Sequence, residues 1–209
     1  MLRGESGQKV VTPDTQPEEE ISRQAEEDSG HRANIWPAVY EVLETVLLAV
    51  VIWLVVNFTT ARYVVDGSSM EPTLHTGQFL IVSRLAYRLG SPQRGDVIVF
   101  HFPGNPNEDY VKRIIGLPGE TVTIQGGRVF INGAPLQETY ISPGTLAAYQ
   151  GSWTVPEGSY FVLGDNRAHS SDSRTWGMLS SEYIIGKAWI CYWPPQYWGT
   201  VPHYTYSSP

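Results

Sequence analysis

A mainly β domain carried on one N-terminal apolar helix is the fold class this sequence predicts. Three observations predict it. Residues 35–58 are apolar over a length that matches the ~30 Å hydrocarbon core of a bilayer, which needs about 20 helical residues. Beyond them the chain breaks into short runs rich in Val, Ile, Phe and Tyr, divided by glycine- and proline-rich turns, in a chain that holds 20 glycines and 15 prolines. No run past residue 58 keeps a helical period over a useful length.

In chain order, residues 1–34 come first. Glu18-Glu19-Glu20 and Glu26-Glu27-Asp28 crowd negative charge among few apolar residues, so the segment is expected to be a disordered tail. It has no strongly basic region of the kind that precedes the apolar core of a cleavable signal sequence, so the span at 35–58 is read as a retained anchor. Val46 to Val56 carries no polar residue, and Trp36 and Tyr40 suit one interface. A buried core helix is the alternative. Arg23 and Arg32 on one side and Arg62 on the other are too few to orient the span.

Residues 59–209 form the expected β-rich domain. Ala61–Val65, Gln78–Ser83, Asp96–Phe102 and Tyr110–Ile115 are strand candidates. Thr121–Ile124 and Arg128–Ile131 flank Gln125-Gly126-Gly127, a hairpin signal, and Asn132-Gly133 marks the next turn. Residues 139–156 read as a loop, Tyr160–Leu163 as a strand and Ile184–Trp193 as the last strand, with Leu85–Leu89 as a short helical turn. The formal charge of −7 argues against nucleic acid as a partner. The single cysteine, Cys191, forbids an intrachain disulfide and lies in an apolar run. Cysteine and histidine do not occur at metal-ligand spacing, so neither metal nor cofactor is expected.

Three stretches carry the chemistry. The first is Gly67-Ser68-Ser69-Met70-Glu71-Pro72-Thr73-Leu74, just after the apolar span. The second is Asp109-Tyr110-Val111-Lys112-Arg113, and the third Gly164-Asp165-Asn166-Arg167 continuing to Ser170-Ser171-Asp172-Ser173-Arg174. A serine needs a base before it can attack a carbonyl. The five histidines, His31, His75, His101, His169 and His203, sit in no triad motif; His203 reads as part of the chain's frayed end. Lys112 is the better base. Strand alternation sets it on one face with Tyr110 and Ile114, where little water would disfavour the ammonium and leave an amine able to accept a proton. Taken alone, Lys112 could equally be an exposed edge-strand lysine paired with Glu108 or Asp109.

Together and in this order, the three stretches resemble the type I signal peptidases, membrane-bound serine/lysine proteases that remove signal peptides from exported proteins. The resemblance runs from about Val39 to about Pro194. It implies a signal-peptidase-like β-barrel domain, with Ser69 before Met70 as nucleophile and Lys112 as base. It implies that Ser170 hydrogen-bonds the Lys112 amine, that Asp172 and Arg174 brace the loop as an ion pair, and that Asp165 and Arg167 support it. Where some relatives place a serine whose hydroxyl helps hold the oxyanion, this chain has Gly67, so the second donor is left unassigned. Tyr63, Val65, Met70, Leu74, Tyr110 and Val111 should line shallow pockets for small substrate residues. Relatives often carry Asp-Asn where this chain has Ala168-His169, and a larger β insertion between the second and third stretches, so any second subdomain here should be small.

The same resemblance implies signal-peptide-bearing pre-proteins as substrates, a lipid bilayer as partner and proximity to the secretion translocon. It implies a single-pass protein of the plasma membrane, with residues 1–34 cytoplasmic and residues 59–209 outside. A self-cleaving repressor-type Ser/Lys protease would need a DNA-binding domain, which the acidic tail and the anchor do not supply. A catalytically inactive, membrane-tethered domain that binds extended peptides is the alternative of another class, and the presence of both Ser69 and Lys112 weighs against it. The aromatic stretch Trp189, Tyr192, Trp193, Tyr197, Trp198, Tyr204 and Tyr206 reads as core packing followed by a tail, or as a rim at the lipid interface.

Overall fold

The computed structural model describes residues 35–141 and 149–206, so the expected tail at 1–34 and much of the expected loop at 139–156 lie outside the described residues. The described residues divide into two units, with the boundary between Val51 and Ile52. Helix α1 (Trp36–Thr59) has no buried residue and is long and apolar enough to cross a membrane. At about 1.5 Å per residue its 24 residues reach roughly 36 Å. Its threonines hide their hydroxyls: Thr45 donates to the Glu41 carbonyl at 2.8 Å and Thr59 to that of Val55 at 2.7 Å, so neither leaves an unsatisfied polar group on an apolar face.

Two sheets make up the rest. The larger contains β1 (Thr60–Val64), β2 (Phe79–Ser83), β3 (Val97–Phe102), β4 (Asn105–Gly116), β9 (Ser159–Leu163), β10 (Leu179–Ser180), β11 (Ile184–Trp193) and β12 (Gly199–Thr200). Its order is β1-β2-β11-β3-β4-β9-β10, with β12 on β11. The smaller contains β5 (Thr121–Gln125), β6 (Arg128–Ile131), β7 (Ala134–Pro135) and β8 (Gly151–Thr154), in the order β7-β6-β5-β8. It arises between the second and third sequence stretches, where a small subdomain was expected. Two single helical turns, α2 (Ala86–Leu89) and α3 (Ser173–Trp176), complete the elements that matter here.

The sequence reading placed most of these strands and missed some. β8 lies inside the expected loop, because Gly151 and Pro156 bound a four-residue run whose pairing with Thr121–Ile124 only tertiary structure reveals. β4 begins at Asn105, five residues before the expected strand, since Phe102 pairs with Asn105 across a tight turn. The alternation of burial along β2 follows the period of two. In β4 the alternation fails: every residue from Lys112 to Gly116 is buried, so both faces of this strand are covered. One cluster on the larger sheet packs Val65, Met70, Leu74, Leu80, Val82 and Val99; another packs Ile98, Phe100, Ile114 and Val162. Burying each such side chain contributes about 1.5–3 kcal/mol.

Candidate active site

The three sequence stretches converge because hydrogen bonds and one buried ion pair tie each to the next. The turn after β1 carries Ser69. Its carbonyl accepts from the Asn166 N–H at 3.0 Å, and the Ser68 carbonyl accepts from the Asn166 side-chain amide at 3.1 Å. The third stretch therefore grips the backbone of the first. The second and third are joined by Arg113 and Asp165, whose side chains are both fully buried: Nε donates at 2.9 Å and Nη2 at 2.6 Å to the two carboxylate oxygens. The Arg113 Nη1 donates further to the Gly95 carbonyl at 2.7 Å and to the Pro202 carbonyl at 3.0 Å.

Within this frame Lys112 Nζ lies 2.9 Å from Ser69 Oγ and 2.9 Å from its neighbour's carbonyl, Val111 O. The lysine is only 4% exposed, and Tyr110 lies beside the amine, its ring centroid 5.2 Å away. Burial brings the ammonium down from its ordinary 10.5 to about 8, against the opposing pull of the Asp172 and Asp165 carboxylates. A neutral amine has one lone pair and two N–H donors. With one N–H on Val111 O, the lone pair is free to accept the Ser69 proton across the same contact.

The third stretch is braced from within. Asp172 caps α3 by accepting from the Arg174 N–H, and also accepts from Gly164 N–H at 3.1 Å. Arg174 Nε and Nη2 reach the same carboxylate at 2.7 and 2.8 Å, which makes the expected ion pair. Arg167 is buried; its Nε donates to Gly164 O at 3.0 Å and its Nη1 to Glu138 at 3.0 Å. Gly164 has no room for a side chain: a Cβ there would fall on the Ser69 carbonyl oxygen and on the Ser170 hydroxyl.

A cleft of about 530 Å³ opens onto the Ser69–Lys112 pair. It is lined by Tyr63, Val65 and Gly67 from the end of β1 and the turn after it, and by Tyr110 and Val111 of β4. Gly67 adopts φ +89°, a conformation that suits glycine, with open space where a side chain would project. His169 also lines this cleft.

The structure departs from the sequence reading at several residues. Met70 and Leu74 do not line the cleft: they are 1% and 2% exposed and lie in the core. Leu74 N–H bonds the Met70 carbonyl one helical turn back, so the two side chains fall on one face, and that face meets Val65 and Leu80. Ser170 does not meet the lysine. Its hydroxyl is buried without a hydrogen-bond partner among the described residues, because it sits against the bare Cα of Gly164 while Lys112 spends its second contact on Val111 O. His203 is no frayed end; it bridges Val97 N–H and Ala188 C=O. Sequence reasoning also missed Glu138 as the partner of Arg167. The signal was available for Arg113, a charge inside the apolar run Val111–Ile115 that could be buried only with a counter-ion.

A serine hydroxyl in contact with a buried amine at the wall of a cleft is the arrangement that a serine hydrolase with an amine base would need. The relatives narrow this. The family described as "Signal peptidase, peptidase S26" matches residues 39–193. Signal peptidase I of Leptolyngbya laminosa is 43% identical over 193 residues, covering 88% of this chain and 90% of its own. Signal peptidase I of Bacillus caldolyticus is 43% identical over 150 residues, 66% of this chain and 81% of its own. Among solved structures, a signal peptidase I from Enterococcus faecalis V583 aligns with 38% identity and a TM-score of 0.43, over 47% of this chain and 97% of that one. The chain belongs to the signal peptidase family, peptidase S26. It is a membrane-associated peptidase that removes signal peptides.

Proposed function

We propose that cleavage proceeds through a Ser/Lys dyad, Ser69 attacking and Lys112 acting as general base. The observation that carries this reading is the 2.9 Å contact between Ser69 Oγ and a buried Lys112 Nζ. The oxygen attacks the carbonyl carbon of the scissile peptide while its proton passes to Nζ. The resulting ammonium gives that proton to the departing amide nitrogen, which leaves as the new N-terminus. Ser69 then holds the signal peptide as an ester. Water, deprotonated by the same amine, hydrolyses it and restores the hydroxyl. The Ser69 N–H is suited to hold the oxyanion.

Substrate lies along the cleft as an extended strand between the residues after β1 and those of β4, which offers backbone pairing independent of sequence. Tyr63, Val65, Tyr110 and Val111 leave room for small side chains beside the nucleophile and exclude large ones. Asp172 and Arg174 hold the third stretch against the dyad. Residues 1–34 are the cytoplasmic tail, 35–58 the single span in the plasma membrane, and 59–209 the outward domain, working close to the translocon that delivers its substrates.

The test is the pH dependence of kcat/KM on a pre-protein in detergent. The base must be unprotonated, and its ammonium titrates at about 8. Activity should therefore rise about tenfold per pH unit up to roughly pH 8 and level off above it. A profile that stays flat down to pH 5 would refute the amine as base. For the lipid contact, Trp198 is 69% exposed, and Trp189 and Trp193 are each about half exposed. Anionic vesicles added to the protein in dilute detergent should shift tryptophan emission to the blue, and Trp198→Ala should remove most of that shift. An unaltered shift in the variant would dismiss Trp198 as the lipid-seating group.

A further inference from the structure

Residues 199–206, beyond the family match that ends at 193, do not trail away from the domain. β12 pairs with Ile190 and Cys191 of β11, and Val201 enters the cluster that holds Met70 and Leu74. β3 and β11 pair from Ile184–Phe100 through Gly186–Val99 to Lys187–Ile98, where the ladder stops. There the His203 imidazole takes over from the ladder: Nδ1 accepts from Val97 N–H at 3.1 Å and Nε2 donates to Ala188 O at 2.9 Å. Both ring nitrogens are engaged in the neutral form. The next residue, Tyr204, stacks on Tyr140 with ring centroids 4.4 Å apart, and the Tyr206 hydroxyl donates to that of Tyr140 at 2.8 Å.

All of this closes over one group. The Arg113 guanidinium carbon lies 4.5 Å from the Tyr140 ring centroid and 4.9 Å from that of Tyr204, and its Nη1 donates to Pro202 O. Arg113 is the residue after Lys112, and its counter-ion Asp165 precedes the Asn166 that grips Ser69. Asp165 holds Arg113 from one side and residues 199–206 cover it from another. Were Tyr204 removed, water would reach the guanidinium, and the strand next to the amine would lose one of its walls.

We propose that residues 199–206 form a clasp that positions the general base, with Tyr204 a positioning residue that keeps Arg113, and through it the Lys112 segment, fixed and dry. The proposal rests on Lys112 being the base. The groups that face the amine are Ser69, the Val111 carbonyl, Tyr110, and the Asp172 and Asp165 carboxylates, and changing Tyr204 replaces none of them.

The experiment compares the full chain with Tyr204→Ala, Tyr204→Phe, Tyr206→Phe and Lys112→Ala in detergent, measuring kcat, KM and the acid limb of kcat/KM on one pre-protein. Tyr204→Ala should lose about tenfold in kcat with KM held within about twofold. Its acid limb should move up by about half a pH unit or more as the amine regains water. Tyr204→Phe, which keeps the ring, should restore both. A fall in kcat with the acid limb unmoved would mark Tyr204 as merely structural and overturn the clasp, as would no change at all. Should Tyr204→Ala not fold, Tyr206→Phe takes its place: a smaller upward move of the limb supports the clasp and an unmoved limb overturns it. Activity retained by Lys112→Ala would overturn the base assignment itself, whereas an inactive Lys112→Ala beside an unmoved Tyr204→Ala overturns the clasp alone.

Discussion

Lys112→Met should abolish cleavage while leaving the protein at least as stable as before. Loss of a general base alone removes about 10²–10⁴ in rate, and because Lys112 is the base hydrogen-bonded to Ser69 Oγ among the described residues, the larger figure applies. Ser69→Ala should fall as far, and the double variant no further, because the two groups act as one unit. The stability half of the prediction follows from the sign of the lysine's shift. The folded state holds the ammonium at about 8 where the unfolded chain has 10.5, so folding is penalised by on the order of 3 kcal/mol at every pH below about 8. The penalty fades as pH rises toward 10.5. Methionine fills a similar volume with no proton to lose, so the denaturation midpoint at pH 7 should hold or rise. The check is pre-protein cleavage beside a denaturant titration at pH 7 and pH 10. A variant that unfolds more easily at pH 7 would show that the amine is stabilised rather than strained by its surroundings.

Asp165→Ala should be the most destabilising single change in the site. It strands a guanidinium that is 0% exposed and cannot shed its proton. Breaking a buried pair from one side costs about 3–5 kcal/mol. For a domain of this size that lowers the melting temperature by roughly 10 °C. Asp109→Asn is the control, since the His101–Asp109 pair is half and one-third exposed and should contribute less than about 1 kcal/mol. Thermal unfolding of the two variants decides it. If Asp165→Ala melted within a degree or two of Asp109→Asn, Arg113 would have to find compensation that the geometry does not offer.

What could be read from the residues, and what could not, divides along physical lines. Strands with alternating or continuous apolar runs, such as Val97–Phe102 and Ser159–Leu163, were legible because burial writes itself into local pattern. The meeting of Ser69 with Lys112 was legible because their neighbours are diagnostic in combination. Met70 and Leu74 were misassigned because adjacency to a reacting serine says nothing about direction; the helical turn that swings both inward is set by the core. The Ser170 contact was misassigned because a hydroxyl's partner depends on ångström-scale placement that no spacing encodes. The aromatic stretch from Trp189 to Tyr206 was left open between core packing with a tail and a lipid rim because the contacts at its end are long-range: His203 answers to residues 106 and 15 positions away.

The missing side chain at Gly164 has a consequence for how this protein can vary. One added methyl there would wedge the loop from the nucleophile's backbone, so the innermost shell is closed to growth even by the smallest step. Diversity is pushed outward to the rim, where His169 lines the cleft. Any drift in substrate taste among proteins of this kind should therefore be sought at the lip of the cleft, where a change can be accommodated without disturbing the atoms that react.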